Sequence, residues 1–387
     1  MRRRLALGLG LVITLVVSVT AVAVPASAAE RQLLDTGMGS YPRLVRLEHS
    51  GGARDGRIVA STTSRDEQGM FTPIYESTDE GDSFTQIGEI RDPEGPNGMC
   101  CGTLYEMPQQ VGGLAPGTLL WAASYGQNAG DARRIGLKIW SSDDGGRTWN
   151  FLSEAARSHN KDGIWEPEFN VDAAGKLWMN YADETEAPQY GQVLNRVSST
   201  DGVNWTPKER TMAIGPDRVR PGMPIVRKLP DSRYYMSYEI CNYGDRFCDS
   251  YHKISPDGAS WGDPADPGVR VETEQGNHFQ HAHTITLFPG GAGGTRILQV
   301  GQIYVDPAGT PLPGNGKTLL ANDNFGDGAW YEIPAPVHVV NPYDDYCPNY
   351  SSTLLPTDGG ENVLQIAPDY DVDGVCKSFF AKGPAAN

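Results

Sequence analysis

Residues Ser141–Trp149 read "SSDDGGRTW", and altered copies of this stretch recur along the chain. "STDEGDSF" spans Ser77–Phe84, "SSTDGVNW" spans Ser198–Trp205 and "SPDGASW" spans Ser255–Trp261. Their closing aromatics, Phe84, Trp149, Trp205 and Trp261, stand 65, 56 and 56 residues apart. "DNFGDGAW", ending at Trp330, reads as a degenerate fifth copy 69 residues further on. Ser and Asp side chains accept backbone N–H groups in tight turns, and Gly supplies positive φ. The closing aromatic can then bury against neighbouring strands. A unit of this length, repeated this often, marks a β-propeller blade or a similar array.

Between the copies lie short apolar or alternating runs such as "RIVASTT", "TLLWAASY", "LWMNYAD", "YYMSYEI" and "VLQIAPDY", bounded by Gly, Pro and Asp. These read as strands, and no long amphipathic helix is evident. The repeated turns resemble the Asp-box of sialidase-like propellers, in which the aspartates are structural. Four or five boxes and a final unboxed segment, Tyr346–Lys382, predict an all-β, six-bladed β-propeller. A strand near Leu33 is expected to close the last blade. No linker divides the chain, so residues 30–387 are expected to form a single propeller catalytic domain.

Residues 1–29 carry Arg2, Arg3 and Arg4, an apolar run and small residues at Ala26–Ala29. This is the pattern of a secretory signal peptide. No later stretch is apolar enough to span a bilayer. The whole chain has formal charge −16, and loss of the three leader arginines takes it to −19. Such a surface repels nucleic acid and fits a neutral partner better. Six cysteines in an exported chain point to disulfides. Local spacing favours Cys241 with Cys248 and Cys347 with Cys376, while adjacent Cys100 and Cys101 form a vicinal bridge or stay as thiols. "DYDVDG" at Asp369–Gly374 imitates the start of a calcium loop. Its twelfth position is Phe380 rather than Glu, so it reads as a hairpin turn.

Propeller sites form where innermost strands converge, so functional side chains come from separate blades. "GIWEPEF" (Gly163–Phe169) and "YYMSYEICN" (Tyr234–Asn242) each place a glutamate beside aromatics. Pro167 is expected to hold Glu166 extended, at a strand end or edge. Glu239 follows an aromatic strand and precedes Cys241. The two glutamates are 73 residues apart, a little over one repeat, which puts them on adjacent blades. Paired carboxylates are what glycoside hydrolysis requires. Trp165 and Tyr238 are expected beside the sugar. His281 and His283 in "QHAHTITL" read as one strand face. An H-x-H pair can bind metal, but no third ligand is evident, and sugar hydrogen bonding is favoured. No metal or cofactor is expected.

"SYPRLVRL", "GIWEPEF", "RPGMPIV" with "YYMSYEIC", and "YSSTLLP" resemble glycoside hydrolase family 93, the exo-α-1,5-L-arabinanases, in order from about Ser40 to Ala381. The resemblance implies a six-bladed propeller that releases arabinobiose from the non-reducing end of arabinan with retention of configuration. It places the two catalytic glutamates on Glu166 and Glu239. Glu166 is assigned acid/base and Glu239 nucleophile, the reverse remaining open. Tyr350 resembles the sialidase tyrosine and is expected to hydrogen-bond Glu239. Arg43 resembles the first sialidase arginine and is expected to orient a carboxylate or bind hydroxyls. "GPNGMCCGTLYEMP" fits the family least, its paired cysteines reshaping one pocket wall. An arabino-oligosaccharide is the expected partner of a secreted monomer. A sialidase is the first rival, with Arg220 as a second arginine and no third. A non-catalytic sugar-binding propeller is the second rival.

Overall fold

The computed structural model describes residues 30–385, so the leader at 1–29 lies outside the described residues. Six antiparallel sheets follow one another along the chain, the blades of a β-propeller. The innermost strands are Ser40–Arg46, Met99–Glu106, Ile164–Val171, Arg220–Lys228, Thr284–Pro289 and Thr353–Thr357. Each blade then runs outward through hairpins. The fourth sheet is enlarged by His278–Gln280 and Ile303–Val305. The sixth is completed by Gln32–Leu33, which pairs with Phe379 and Phe380 and so ties the start of the described chain to its end. This closure is the one expected near Leu33. No helix among the described residues is long and apolar enough to cross a membrane.

The boxes sit where the third strand of a blade turns into its outermost strand. In the second blade Gly146 N–H donates to Ser142 Oγ at 2.9 Å, and Asp144 Oδ1 accepts from Arg147 and Thr148. Ser77 with Asp79, Ser199 with Asp201, and Ser255 with Asp257 repeat the arrangement. Such donors hold the Asp257 carboxyl down at about 2. In the degenerate copy Asn322 Oδ1 takes the place of the serine and accepts from Gly326. These aspartates are absorbed by their own turns. Asp371 likewise accepts from Asp373 and Val375 in a hairpin, as read from the sequence.

The innermost strands share one irregularity. Four of them slip register, at Ser40/Arg43, Cys100/Thr103, Trp165/Glu168 and Gly222/Ile225. At each slip a non-glycine residue takes positive φ: Tyr41 (49°), Cys101 (63°), Glu166 (58°) and Met223 (52°). Ala282 (48°) and Ser351 (53°) do so just before the innermost strands of the fifth and sixth blades. A bulge adds a residue to one strand, and a left-handed backbone there lets the ladder resume. Each such residue costs roughly 1–2 kcal/mol, so the surrounding packing must hold it. Tyr41, Met223 and Ala282 pack with Tyr350 and Cys101 into one apolar cluster. Its members come from five blades, which places the cluster at the propeller axis as a floor.

Candidate active site

Above that floor lies a cavity of about 590 Å³, lined by residues of all six blades, among them Tyr41, Cys101, Glu166, Arg220, His281 and Tyr350. A second cavity, about 630 Å³, is lined by Arg43, Thr103, Ile225, Thr284 and Thr353. Each of those stands two residues beyond a left-handed position, so the floor divides the central channel.

Glu166 occupies the left-handed position of the third blade. The expectation that Pro167 keeps it extended is corrected: the bulge demands positive φ here, and Pro167, which has no N–H, falls where the ladder is interrupted. Glu166 Oε2 accepts the Met223 N–H at 2.6 Å. Glu239 lies on the second strand of the fourth blade, opposite Gly222. Its Oε2 accepts the Ala282 N–H at 2.8 Å. A Cβ on Gly222 would stand 3.5 Å from Glu166 Oε2 and 3.7 Å from Glu239 Oε1. Those two oxygens are therefore at most 7.2 Å apart, the sum of the two distances.

Burial and then the charge of Glu239 push the Glu166 carboxyl up to about 7, against the Met223 N–H, His281 and Arg220. Burial also raises Glu239, but His281, the Ala282 N–H and Arg220 oppose it. His281 Nε2 stands 3.6 Å from Glu239 Oε1, and its Nδ1 is 3.0 Å from Asp344. Burial would push His281 down, yet Glu239, Asp344 and Glu166 outweigh it and hold the ring above its ordinary value. Glu239 thus sheds its proton first, and Glu166 keeps one to near neutrality.

Arg220 reaches the cavity but is already engaged. It donates to Glu184 Oε1 at 2.5 Å and Gln192 Oε1 at 2.7 Å. Trp165 Nε1 donates to the other oxygen of Glu184 at 2.9 Å. Tyr350 lines the cavity, with its ring 5.3 Å from His281 and 5.6 Å from Tyr346. Among the described residues, no hydrogen bond joins Tyr350 to Glu239. Burial, then the charge of Glu166, raises its hydroxyl well above the ordinary value.

Three expected residues lie elsewhere. Tyr238 precedes Glu239 on a regular strand, so the two face opposite sides. It is a core residue whose hydroxyl donates to Pro267 O at 2.7 Å. His283 does not share a face with His281, because positive φ at His281 and Ala282 breaks the alternation. It packs on Ser237 Oγ at 2.6 Å, and burial pushes it down to about 3. Arg43 lies below the floor, its guanidinium 4.2 Å from the Tyr41 ring centre and bonded to Pro42 and Ser351 carbonyls.

The sequence reading missed Tyr41, Met99, Gln127, Asn128, Glu184 and Gln192, all lining the cavity. All six cysteines are bridged: Cys100–Cys101, Cys241–Cys248 and Cys347–Cys376. Cys241 Sγ lies 3.6 Å from Glu239 Oε1, but bridged sulfur has no proton to donate and no thiolate for a metal.

Neither a protein-family model nor a curated protein matches the sequence. Solved structures do match. An α-L-arabinanase of Penicillium chrysogenum complexed with arabinobiose aligns with TM-score 0.77 at 23% identity, over 92% of this chain and 98% of that one. The GH93 α-L-arabinofuranosidase of Fusarium graminearum with arabinobiose aligns with TM-score 0.74 at 20% identity, over 92% and 96%. A Dyadobacter fermentans protein of unknown function gives 0.56 at 12% identity, over 93% and 99%. At these identities the likeness establishes the shared fold.

Proposed function

We propose that this chain is a secreted, exo-acting, retaining glycoside hydrolase of the family 93 type. It cleaves α-1,5-L-arabinan from the non-reducing end and releases arabinobiose. The observation that carries the reading is the pair of buried glutamates flanking Gly222, one holding its proton to about 7 and the other ionising first. The sequence resemblance and neighbours of the same fold complexed with arabinobiose point to the same substrate. Three disulfides fit an exported protein.

In this reading Glu166 gives its proton to the glycosidic oxygen as the bond to the anomeric carbon breaks. The Glu239 carboxylate closes on that carbon from the opposite face and forms a glycosyl ester. Glu166, now ionised, takes a proton from water, which attacks the same carbon and expels Glu239. Two inversions give net retention, and both glutamates return to their starting states. Retaining pairs stand about 5 Å apart, inside the bound that Gly222 sets. His281 favours the charged form of Glu239. Trp165 and Tyr350 offer ring surface to the sugar, and Arg220 and His281 offer polar contacts.

A sialidase needs several arginines free to clamp a substrate carboxylate. Among the described residues Arg220 is the one arginine lining the cavity, and Glu184 already holds it. Proton NMR on linear arabinan tests the proposal: arabinobiose should appear first, with the anomeric configuration of the substrate. An inverted first product, a mixed long ladder, or cleavage of a sialoside instead would overturn it.

A further inference from the structure

Cys101 holds in the second blade the left-handed position that Glu166 holds in the third, so the Cys100–Cys101 bridge stands beside the acid around the ring. Both cysteines line the cavity, together with Met70 and Met99. The first two blades contribute sulfur and neutral polar groups to it and no charge. The charged groups, Glu184, Arg220, Glu239 and His281, come from the third, fourth and fifth blades. A bridged sulfur pair donates no hydrogen bond. The backbone that follows it packs closely on the Trp121 indole, where a Cβ on Gly102 would stand 2.8 Å from the ring.

A furanosyl ring in this cavity meets charged partners on one side and, on the other, the sulfur pair with Met70 and Met99, flanked by the neutral Ser40, Thr63, Gln127 and Asn128. Its hydroxyls belong on the charged side, which leaves C–H groups and the C5 methylene against sulfur. We propose that the vicinal disulfide is a specificity-determining wall: it accepts the C–H edge of a pentofuranosyl unit and rejects the homologous hexofuranosyl unit. The inference rests on the hydrolase reading above. An added hydroxymethyl group would press on the wall. A misfit of this kind costs about 10- to 200-fold in kcat/KM for the methylene alone.

The test compares two 4-nitrophenyl glycosides. One is the α-L-arabinobioside. The other carries one further hydroxymethyl group on the unit next to the nitrophenyl. Wild type should prefer the first by at least about tenfold. Cys100→Ala/Cys101→Ala should shrink that ratio at least about tenfold, with the pH profile of kcat/KM unmoved. Cys100→Ser/Cys101→Ser, closer in volume, serves if the alanine pair does not fold. A wild-type ratio below about ten, or a folded double variant with the wild-type ratio, overturns the wall while leaving the hydrolase reading intact. A wild type that neither cleaves the arabinobioside nor binds arabinobiose by calorimetry overturns both.

Discussion

Glu166 of the third blade is held by Met223 of the fourth through an amide that the bulge of the fourth blade takes out of its own sheet, at 2.6 Å from Glu166 Oε2. The same device serves Glu239, whose Oε2 takes the N–H of Ala282, the left-handed residue of the next blade. An unpaired buried amide is costly, and so is a buried carboxylate without donors. Each satisfies the other across a blade boundary. The strain of the left-handed residues is thereby tied to the placement of both acids, a pairing expected where backbone strain is functional.

The first prediction concerns those acids. Glu166→Gln and Glu239→Gln should each lower kcat/KM on arabinan by at least about 1000-fold with unchanged circular dichroism. On a 4-nitrophenyl arabinobioside, whose leaving group needs no acid, azide should restore turnover in both, giving an inverted adduct with the variant that lacks the nucleophile and a retained one with the other. Near-full activity in either variant would remove that residue from the mechanism.

pH dependence follows from the same pair. Activity requires Glu239 ionised and Glu166 protonated. The alkaline limb should therefore fall near pH 7, where Glu166 loses its proton. The acid limb should lie above the ordinary carboxylate range, because burial raises Glu239. His281 lowers both carboxyls, so His281→Asn should move both limbs to higher pH. A profile of kcat/KM from pH 3 to 9 that is unmoved in this variant would show that His281 does not act on the pair.

The repeated turns were legible because their chemistry is local: Ser142, Asp144 and Gly146 close a turn with groups a few residues apart. One-repeat spacing also brought Glu166 and Glu239 to adjacent blades, and the structure does set them side by side. His283 was misplaced because regular alternation fails where His281 and Ala282 take positive φ. Tyr238 was misplaced because alternation, which does hold on its strand, turns it away from Glu239, and Arg43 because its likeness to a sialidase arginine carried no account of the bulge at Tyr41. The bulges that reset side-chain direction arise from packing six strands around one axis, which is a long-range effect. A partial signal existed in Pro42, Pro167 and Pro224, which follow the left-handed residue in three blades. Glu184 and Gln192 carry no local mark, since their roles depend on Arg220 reaching them from the next blade.

Gly222 separates the acids, and its lack of a side chain is what leaves the gap. A Cβ there would meet Gln192 Nε2 at 2.8 Å, too close to stand without movement. Gly222→Ala should displace the Gln192 amide, which donates to Pro221 O, and crowd both carboxylates. We expect kcat to fall at least about tenfold, since misplacement by about 1 Å can cost 100-fold, and Tm to change little. Steady-state kinetics with wild-type kcat would show the gap to be incidental.

The last prediction ties the acid to stability. In the unfolded chain a glutamate ionises near about pH 4.3, whereas folded Glu166 keeps its proton to about 7. Between those values the folded state binds the extra proton, so this residue's contribution to stability falls as pH rises. Above pH 7 the full cost of a buried charge is present, on the order of 4 kcal/mol for a carboxyl moved from about 4.3 to about 7. Glutamine has nearly the same shape, keeps an oxygen for the Met223 N–H and cannot ionise. Glu166→Gln should therefore melt with wild type at pH 4 and above it at pH 8.5, with the gap opening between about pH 4.5 and 7. Glu239→Gln should gain less, because it also forfeits the attraction of His281. Thermal unfolding followed across this range decides the matter. A Glu166→Gln curve parallel to wild type at every pH would mean that Glu166 titrates as an ordinary carboxylate, and the assignment of Glu166 as the proton donor would lose its physical basis.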